Sequence, residues 1–121
     1  MVLANVAWTM TFEQLDQITH YAIETLFGND DGWRSLTRDL VHLWPDAGIL
    51  EICFALVVAA SAVESNFNAN SPSRAQSAQA YRLAALVSAD LYAMAAIGGY
   101  GSRARDLASY WRDHDSYFLT L

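Results

Sequence analysis

Two acidic residues of this sequence stand among apolar neighbours, and they are its best candidates for chemistry. At 100° per residue, a helix through Asp90 places that carboxylate on the side that carries Leu83, Leu86, Val87, Met94 and Ile97. Glu51 has a similar position in the preceding apolar segment, beside a stripe of small residues. An unpaired charge buried in such a place costs several kcal/mol, so each acid must be paired, hydrogen-bonded or protonated. Because burial raises the pKa of a carboxyl group, such acids are candidates for a functional site.

Two interpretations of these acids stay open. In the structural one, Asp90 has a fixed partner, for which the sequence offers a tyrosine hydroxyl or one of three arginines, namely Arg82, Arg103 and Arg105. In the functional one, Asp90 and Glu51 line a small-molecule pocket between the third and fourth helices. The rim of that pocket would then be formed by Tyr81, Arg82 and Tyr92.

The other reactive side chains do not converge on a catalytic or metal site. The repeated Glu-x-x-His arrangement of di-iron bundles does not occur around His20, His42 or His114. The single cysteine, Cys53, lies in the middle of an apolar segment where a thiol is inert, and one cysteine excludes an internal disulfide framework. The glycine-rich stretch 98–101 follows a helix rather than a strand and is typical of a turn between helices. We therefore predict no catalytic residue, no metal and no cofactor.

Helical segments must position these residues, and local signals indicate their ends. Thr11 and Gln14 form a capping box, Gly28 offers a left-handed stop, and Pro45 ends the following segment. The predicted helices span residues 11–27, 31–44, 46–64, 73–97 and 102–114. No stretch alternates between polar and apolar residues over a useful length, as a strand would. Residues 1–121 are therefore predicted to form a single all-α domain, a bundle of four to five helices.

Small residues form a stripe on one side of the fourth predicted helix. Its members are Ala78, Ala85, Ala89 and Ala96. Small side chains let two helix axes approach closely. Either the third and fourth helices pack tightly at the centre of the bundle, or this alanine face, flanked by Tyr81 and Tyr92, is the seam of a homodimer.

The charge balance limits the classes of partner. Thirteen acids stand against seven arginines and no lysine, which gives a formal charge of −6. Such a chain lacks the basic footprint of a nucleic-acid binder, and its 54% of hydrophobic residues exclude a disordered acidic tail. The uncharged run 52–63 falls short of the roughly 20 residues of a membrane span, and no basic residue precedes the apolar N-terminus as in a secretory signal. We expect a cytoplasmic protein that binds neither nucleic acid nor membranes.

These features favour a protein-interaction module over an enzyme. Acids on the polar face of the first helix and in the following turn are candidate contacts for a protein with a basic surface, namely Glu13, Asp16, Glu24, Asp30 and Asp31. The four tryptophans and six tyrosines are residue types that anchor interfaces. The first hypothesis is therefore a small acidic adaptor, regulator or immunity-like inhibitor without catalytic activity. The alternative is the small-molecule-binding bundle or enzyme with its pocket at Asp90 and Glu51.

Overall fold

Helices make up most of the chain. The computed structural model describes the backbone of residues 2–121 and the side chains of residues 13–121. The helices are α1 (Val2–Gly28), α2 (Gly32–Leu43), α3 (Ile49–Asn66), α4 (Arg74–Ile97), α5 (Ala104–Asp113) and α6 (Tyr117–Thr120). The backbone of residues 2–121 contains no strand, but an isolated antiparallel bridge joins Gly48 and Arg103. The predicted all-α bundle is confirmed.

This bridge explains why two helices begin later than their local signals predict. Asp46 and Ser102 are good N-cap residues by type, but their segments pair with each other. The N–H of Ile49 donates to the carbonyl of Ser102 at 2.9 Å, and the N–H of Ala104 donates to the carbonyl of Ala47 at 2.7 Å. Because these backbone groups already form hydrogen bonds between the two segments, α3 begins at Ile49 and α5 at Ala104.

The two ends of the chain also differ from the sequence-based expectation. The first helix begins at Val2 rather than near Thr11, and segment 2–10 contains neither the glycine nor the proline that would stop it. The cap predicted at Thr11 lies outside the residues whose side chains are described. At the other end, the residues beyond the last predicted helix, which ends at 114, form the short helix α6. Phe118 of α6 is buried, and its ring centroid lies 4.9 Å from that of Trp111 on α5.

The helix α3 packs between α1 and α4, while α2 and α5 contact each other and complete the bundle. The amide of Gln14 donates to Glu51 in the first turn of α3, and the ring of Phe27 packs against Phe67 just after the last turn. Contacts at both ends in this order mean that α1 and α3 run parallel. The polar face of α1 is thereby turned to solvent.

Helices α3 and α4 form the most extensive pair in the described chain, and they run antiparallel. The hydroxyl of Ser77 donates to the carbonyl of Ala60, and the thiol of Cys53 lies against the carbonyl of Ala84. The alanines of α4 that are buried are Ala80 and Ala84. The predicted small-residue stripe is instead exposed along its length, at Ala78, Ala85, Ala89 and Ala96. The helix pair is close, but the stripe is not what joins it.

Both α3 and α4 are also long and apolar enough, by length and composition alone, to cross a membrane. The core helices of soluble bundles meet the same criterion, and α3 contributes eight buried residues to this core. The expectation that the chain does not bind membranes therefore stays a prediction.

Candidate functional site

Asp90 is buried, as the helical periodicity predicts, with only 7% of its surface exposed. Its Oδ2 accepts a hydrogen bond from the indole N–H of Trp111 at 3.0 Å. Burial raises the pKa of Asp90, the indole N–H opposes that rise, and the neighbouring carboxylate of Asp115 adds to it. The hydrogen bond joins two residues of the core, because Trp111 is 1% exposed. Asp90 is thus an acid held in the core by one neutral donor.

The partner of Asp90 is none of the arginines or tyrosines that the sequence offered. Trp111 lies on the buried side of α5, with Leu107 and Tyr110. A buried tryptophan usually finds an acceptor for its N–H, and Asp90 is one of the two acids that the helical periodicity places among apolar residues. This complementarity between one buried donor and one buried acceptor is the signal that could have identified the pair.

We predict that the Asp90→Asn variant has a flatter dependence of stability on pH than the wild type. The folded protein keeps the Asp90 proton at pH values where the unfolded chain, with an ordinary pKa of about 3.9, releases it. The free energy of unfolding should therefore fall as pH rises through the interval between these two pKa values. Asparagine removes this titration, and its amide oxygen can still accept the Trp111 N–H.

Urea unfolding from about pH 4 to about pH 8 tests this expectation. At neutral pH the variant should equal or exceed the wild type in stability, and the two should converge towards pH 4. If the free energies of unfolding of the wild type and the variant changed with pH in parallel, the assignment of a raised pKa to Asp90 would be contradicted.

Glu51 has a different role from Asp90, at the beginning of α3. Its Oε1 accepts the backbone N–H of Gly48 at 3.2 Å, and its Oε2 accepts the amide of Gln14 at 3.1 Å. The carboxylate thereby satisfies a backbone donor at a helix N-terminus, where negative charge is favourable. Glu51 faces α1 and its own helix start, whereas Asp90 faces α5. The structure does not bring these two acids to common hydrogen-bond partners.

The three predicted rim residues also lie apart from Asp90. Residues 81 and 92 are separated from residue 90 by about 180° and 200° around α4 at 3.6 residues per turn, so both tyrosines lie on its opposite side. Tyr92 is 78% exposed, while Tyr81 packs partly buried against the core. The guanidinium of Arg82 lies 5.9 Å from the ring centroid of Tyr117 on α6. The pocket predicted from the sequence would therefore have to be lined by residues on opposite sides of α4.

A groove of about 560 Å³ lies instead between α2, α5 and α6. We call it the basic groove, because its charged lining includes Arg38, Arg105 and Arg112, together with His42 and one acid, Asp106. Sequence analysis did not identify this groove, because its charged residues belong to different helices. None of the five candidate pocket residues, Glu51, Tyr81, Arg82, Asp90 and Tyr92, lines this groove.

A second surface is formed by the sides of α3 and α4 that the rest of the bundle leaves uncovered. Exposed apolar side chains on it are Leu50 (67%), Phe54 (53%), Val57 (43%) and Tyr92 (78%). The contact of Cys53 with Ala84 and Ser88 marks where the two helices meet, and the exposed sides of both helices adjoin that line. We call this surface, with the exposed alanines of α4, the α3–α4 face.

The acids proposed to contact a partner, namely Glu13, Asp16, Glu24, Asp30 and Asp31, are all exposed. Glu24 contacts His20 at 3.0 Å, and Asp31 contacts Arg34 at 3.4 Å. These are neighbours on the same helix or in the adjoining turn, and such exposed pairs add little to stability. The acids therefore form an accessible negative surface rather than a pocket.

The histidines and the cysteine are dispersed. Among residues 13–121, no group of three or more His, Cys, Asp or Glu side chains is placed to hold a metal ion. His114 packs against the rings of Tyr100 and Tyr110. Burial raises the pKa of the Cys53 thiol, although a hydrogen bond with Ser88 opposes the rise. A raised pKa lowers the fraction of reactive thiolate.

Comparison of the chain with protein-family models, with curated proteins and with solved structures finds no significant match. The basic groove and the α3–α4 face are built by helices whose bounds are described in full, and both are accessible from solvent.

Proposed function

We propose that this protein is a helical protein-interaction module that pairs with a second copy of itself through the α3–α4 face. The observation that supports this function is the exposure of four large apolar side chains on adjoining sides of two helices: Leu50, Phe54, Val57 and Tyr92. Contact with a partner removes such surface from water, which is favourable. Contiguous exposed apolar patches of more than a few hundred Å² mark interaction sites in soluble proteins.

The size of the face suits a dimer. With the exposed fractions given above, the four side chains present on the order of 500 Å² of accessible surface. The exposed alanines of α4 extend this area towards the roughly 800 Å² that each partner buries in a standard interface. The small side chains of Ala78, Ala85 and Ala89 let a second helix approach closely, and Tyr92, between Ala89 and Ala96 on the same side, adds apolar contact area.

The charge distribution favours a second copy as the occupant. Two chains of formal charge −6 repel each other wherever their acidic surfaces meet. The apolar members of the α3–α4 face carry no charge, and the exposed charged residues near them on the same helices, Glu64 and Arg82, have opposite signs. A two-fold axis places the same face on both partners. Self-association through this face therefore avoids most of the like-charge contact.

We expect the wild type to sediment as a dimer at concentrations from about 10 to about 100 µM. The Phe54→Glu variant should shift the equilibrium to monomer, because it places a carboxylate in each half of the symmetric contact. We expect its dimer dissociation constant to rise at least tenfold, or about 1.4 kcal/mol. Analytical ultracentrifugation measures both species.

The matched control is Leu43→Glu, which adds the same charge at a side chain of similar exposure, 50% against 53%, on α2. This variant should dimerise as the wild type does. A wild type that remains monomeric at about 100 µM, or equal losses in both variants, would overturn the proposed interface.

In such a dimer the exposed acids of α1 and the following turn remain accessible. They stay candidate contacts for a different protein with a basic surface, as an adaptor, regulator or inhibitor would require. Association through them should weaken as salt concentration rises, because exposed charges are screened. The same increase in salt should not weaken the apolar contact between the two copies.

A further inference from the structure

We propose that the basic groove binds a small organic anion, in which a phosphate monoester or similar dianionic head group is attached to an apolar body. This site is separate from the α3–α4 face and does not rest on the proposed dimer. The starting observation is the concentration of three of the seven arginines of an acidic protein around one groove of about 560 Å³.

The three arginines differ in how far their charge is already neutralised. Arg105 forms an ion pair with Asp46. In the part of the chain whose side chains are described, Arg38 and Arg112 form no ion pair. Arg38 donates to the backbone carbonyls of Phe118 and Leu119 at 3.1 and 3.4 Å.

The Arg112 guanidinium donates to the uncharged hydroxyl of Ser109 at 3.2 Å. Asp106, the acid in the lining, accepts the backbone N–H of Arg103 at 3.0 Å and so has a partner already. Arg38 and Arg112 are therefore held by uncharged oxygens and keep their full charge for a ligand.

The spacing of the arginines on α2 and α5 places them on the sides of these helices that line the groove. Arg38 and His42 are four residues apart on α2, and residues 105, 109 and 112 recur on one side of α5. The α2 and α5 helices pack together, so the two sets face one groove. The guanidinium group presents several N–H donors in one plane, which matches the oxygens of phosphate and carboxylate groups. Convergence of such donors from two helices favours a head group with more than one negative oxygen.

Apart from Ser109, the remainder of the lining is apolar and defines the body of the ligand. Val41, Pro45, Ala108, Trp111 and Leu119 contribute to it. Ligand sites typically combine an apolar lining with a few polar groups that fix orientation. A bare inorganic ion would leave the apolar lining unused.

Calorimetric titration with phenyl phosphate as the probe tests this site at constant ionic strength. We expect saturable binding to the wild type with a dissociation constant below about 1 mM, weaker binding of inorganic phosphate, and no saturation with phenol. The Arg112→Gln variant should bind phenyl phosphate about tenfold more weakly. Arg112→Lys should be intermediate, since it keeps the charge but loses the planar fork.

The matched control is Arg34→Gln, an equal change of charge at an exposed position of α2 outside the groove lining. It should leave the affinity within about twofold. Equal losses in Arg34→Gln and Arg112→Gln, or no saturation up to about 10 mM, would overturn the site. Equal affinities for inorganic phosphate and phenyl phosphate would overturn the apolar body. The Phe54→Glu variant should bind the probe normally, which separates this site from the dimer.

Discussion

Replacing Trp111 with phenylalanine is expected to lower the free energy of unfolding by about 3 kcal/mol, although an aromatic ring remains in place. The indole N–H is the hydrogen-bond donor to Asp90, and both residues are buried. Without that donor, the carboxylate of Asp90 must either stay ionised without a partner or take up a proton. Because protonation relieves the cost at low pH, the loss should be larger near pH 8 than near pH 4.

Urea unfolding of the single and double variants isolates this hydrogen bond. In the Asp90→Asn background no buried charge is left behind, so Trp111→Phe should cost clearly less than in the wild type. Trp33→Phe is the matched control at a half-buried tryptophan, and it should cost below about 1 kcal/mol. A Trp111→Phe loss that equals the control, or that is unchanged by Asp90→Asn, would contradict the role given to the pair.

Replacing Gly32 with alanine is expected to cost about 2 kcal/mol of stability. Gly32 is buried at the first turn of α2, and a methyl group there would overlap the backbone carbonyl oxygen of Thr25 on α1. A backbone oxygen in a helix cannot rotate away as a long side chain can. The α1–α2 junction must therefore shift, and the contacts of both helices with the core would be disturbed.

Gly28→Ala provides the control four residues earlier in the chain. A methyl group at Gly28 meets nothing within 4 Å, and the residue ends α1. Alanine favours the helix over glycine, so this variant should be neutral or more stable by about 0.5 kcal/mol. Thermal unfolding of the two variants side by side distinguishes steric overlap at one glycine from a general loss of chain flexibility. Equal transition temperatures would contradict the close approach at Gly32.

The two proposed surfaces use different parts of the bundle. The α3–α4 face is apolar and suits a partner chain, whereas the basic groove between α2, α5 and α6 suits a small anion. A connection between them runs through the core, because Trp111 both lines the groove and binds Asp90 of α4. Substitutions at Trp111 should therefore affect both ligand binding and stability, while Arg112→Gln should affect binding alone.

The helices could be predicted because their signals are local. The interval predicted for α4 starts one residue before the observed one and ends with it, since turn-forming residues precede this helix and glycines follow it. The starts of α3 and α5 could not be placed in the same way. They depend on hydrogen bonds between segments 45–49 and 102–105, which are far apart in the sequence.

In the candidate site, too, local features could be predicted from the sequence, whereas contacts between helices could not. The burial of Asp90 follows from its place among apolar residues on one helix, and it is confirmed. Its hydrogen-bond donor, Trp111, lies 21 residues further along the chain on another helix. The helical pattern of a sequence indicates which side of a helix is buried, but not which residues of other helices pack against that side. The basic groove was missed for this reason. Arg38 and Arg112 each belong to a polar side that one helix alone would turn to solvent.

The sequence by itself determined that this acidic, lysine-free chain folds into helices, and that Asp90 is buried while the acids of α1 are exposed. Only the tertiary structure decided that Trp111 satisfies Asp90, that Glu51 caps its own helix, and that three arginines share a groove. The physical reason is the separation in sequence between the residues that make the contacts. A helix and its apolar side depend on contacts within one or two turns. Which sides meet depends instead on how all helices pack into one core, and no single segment carries that information.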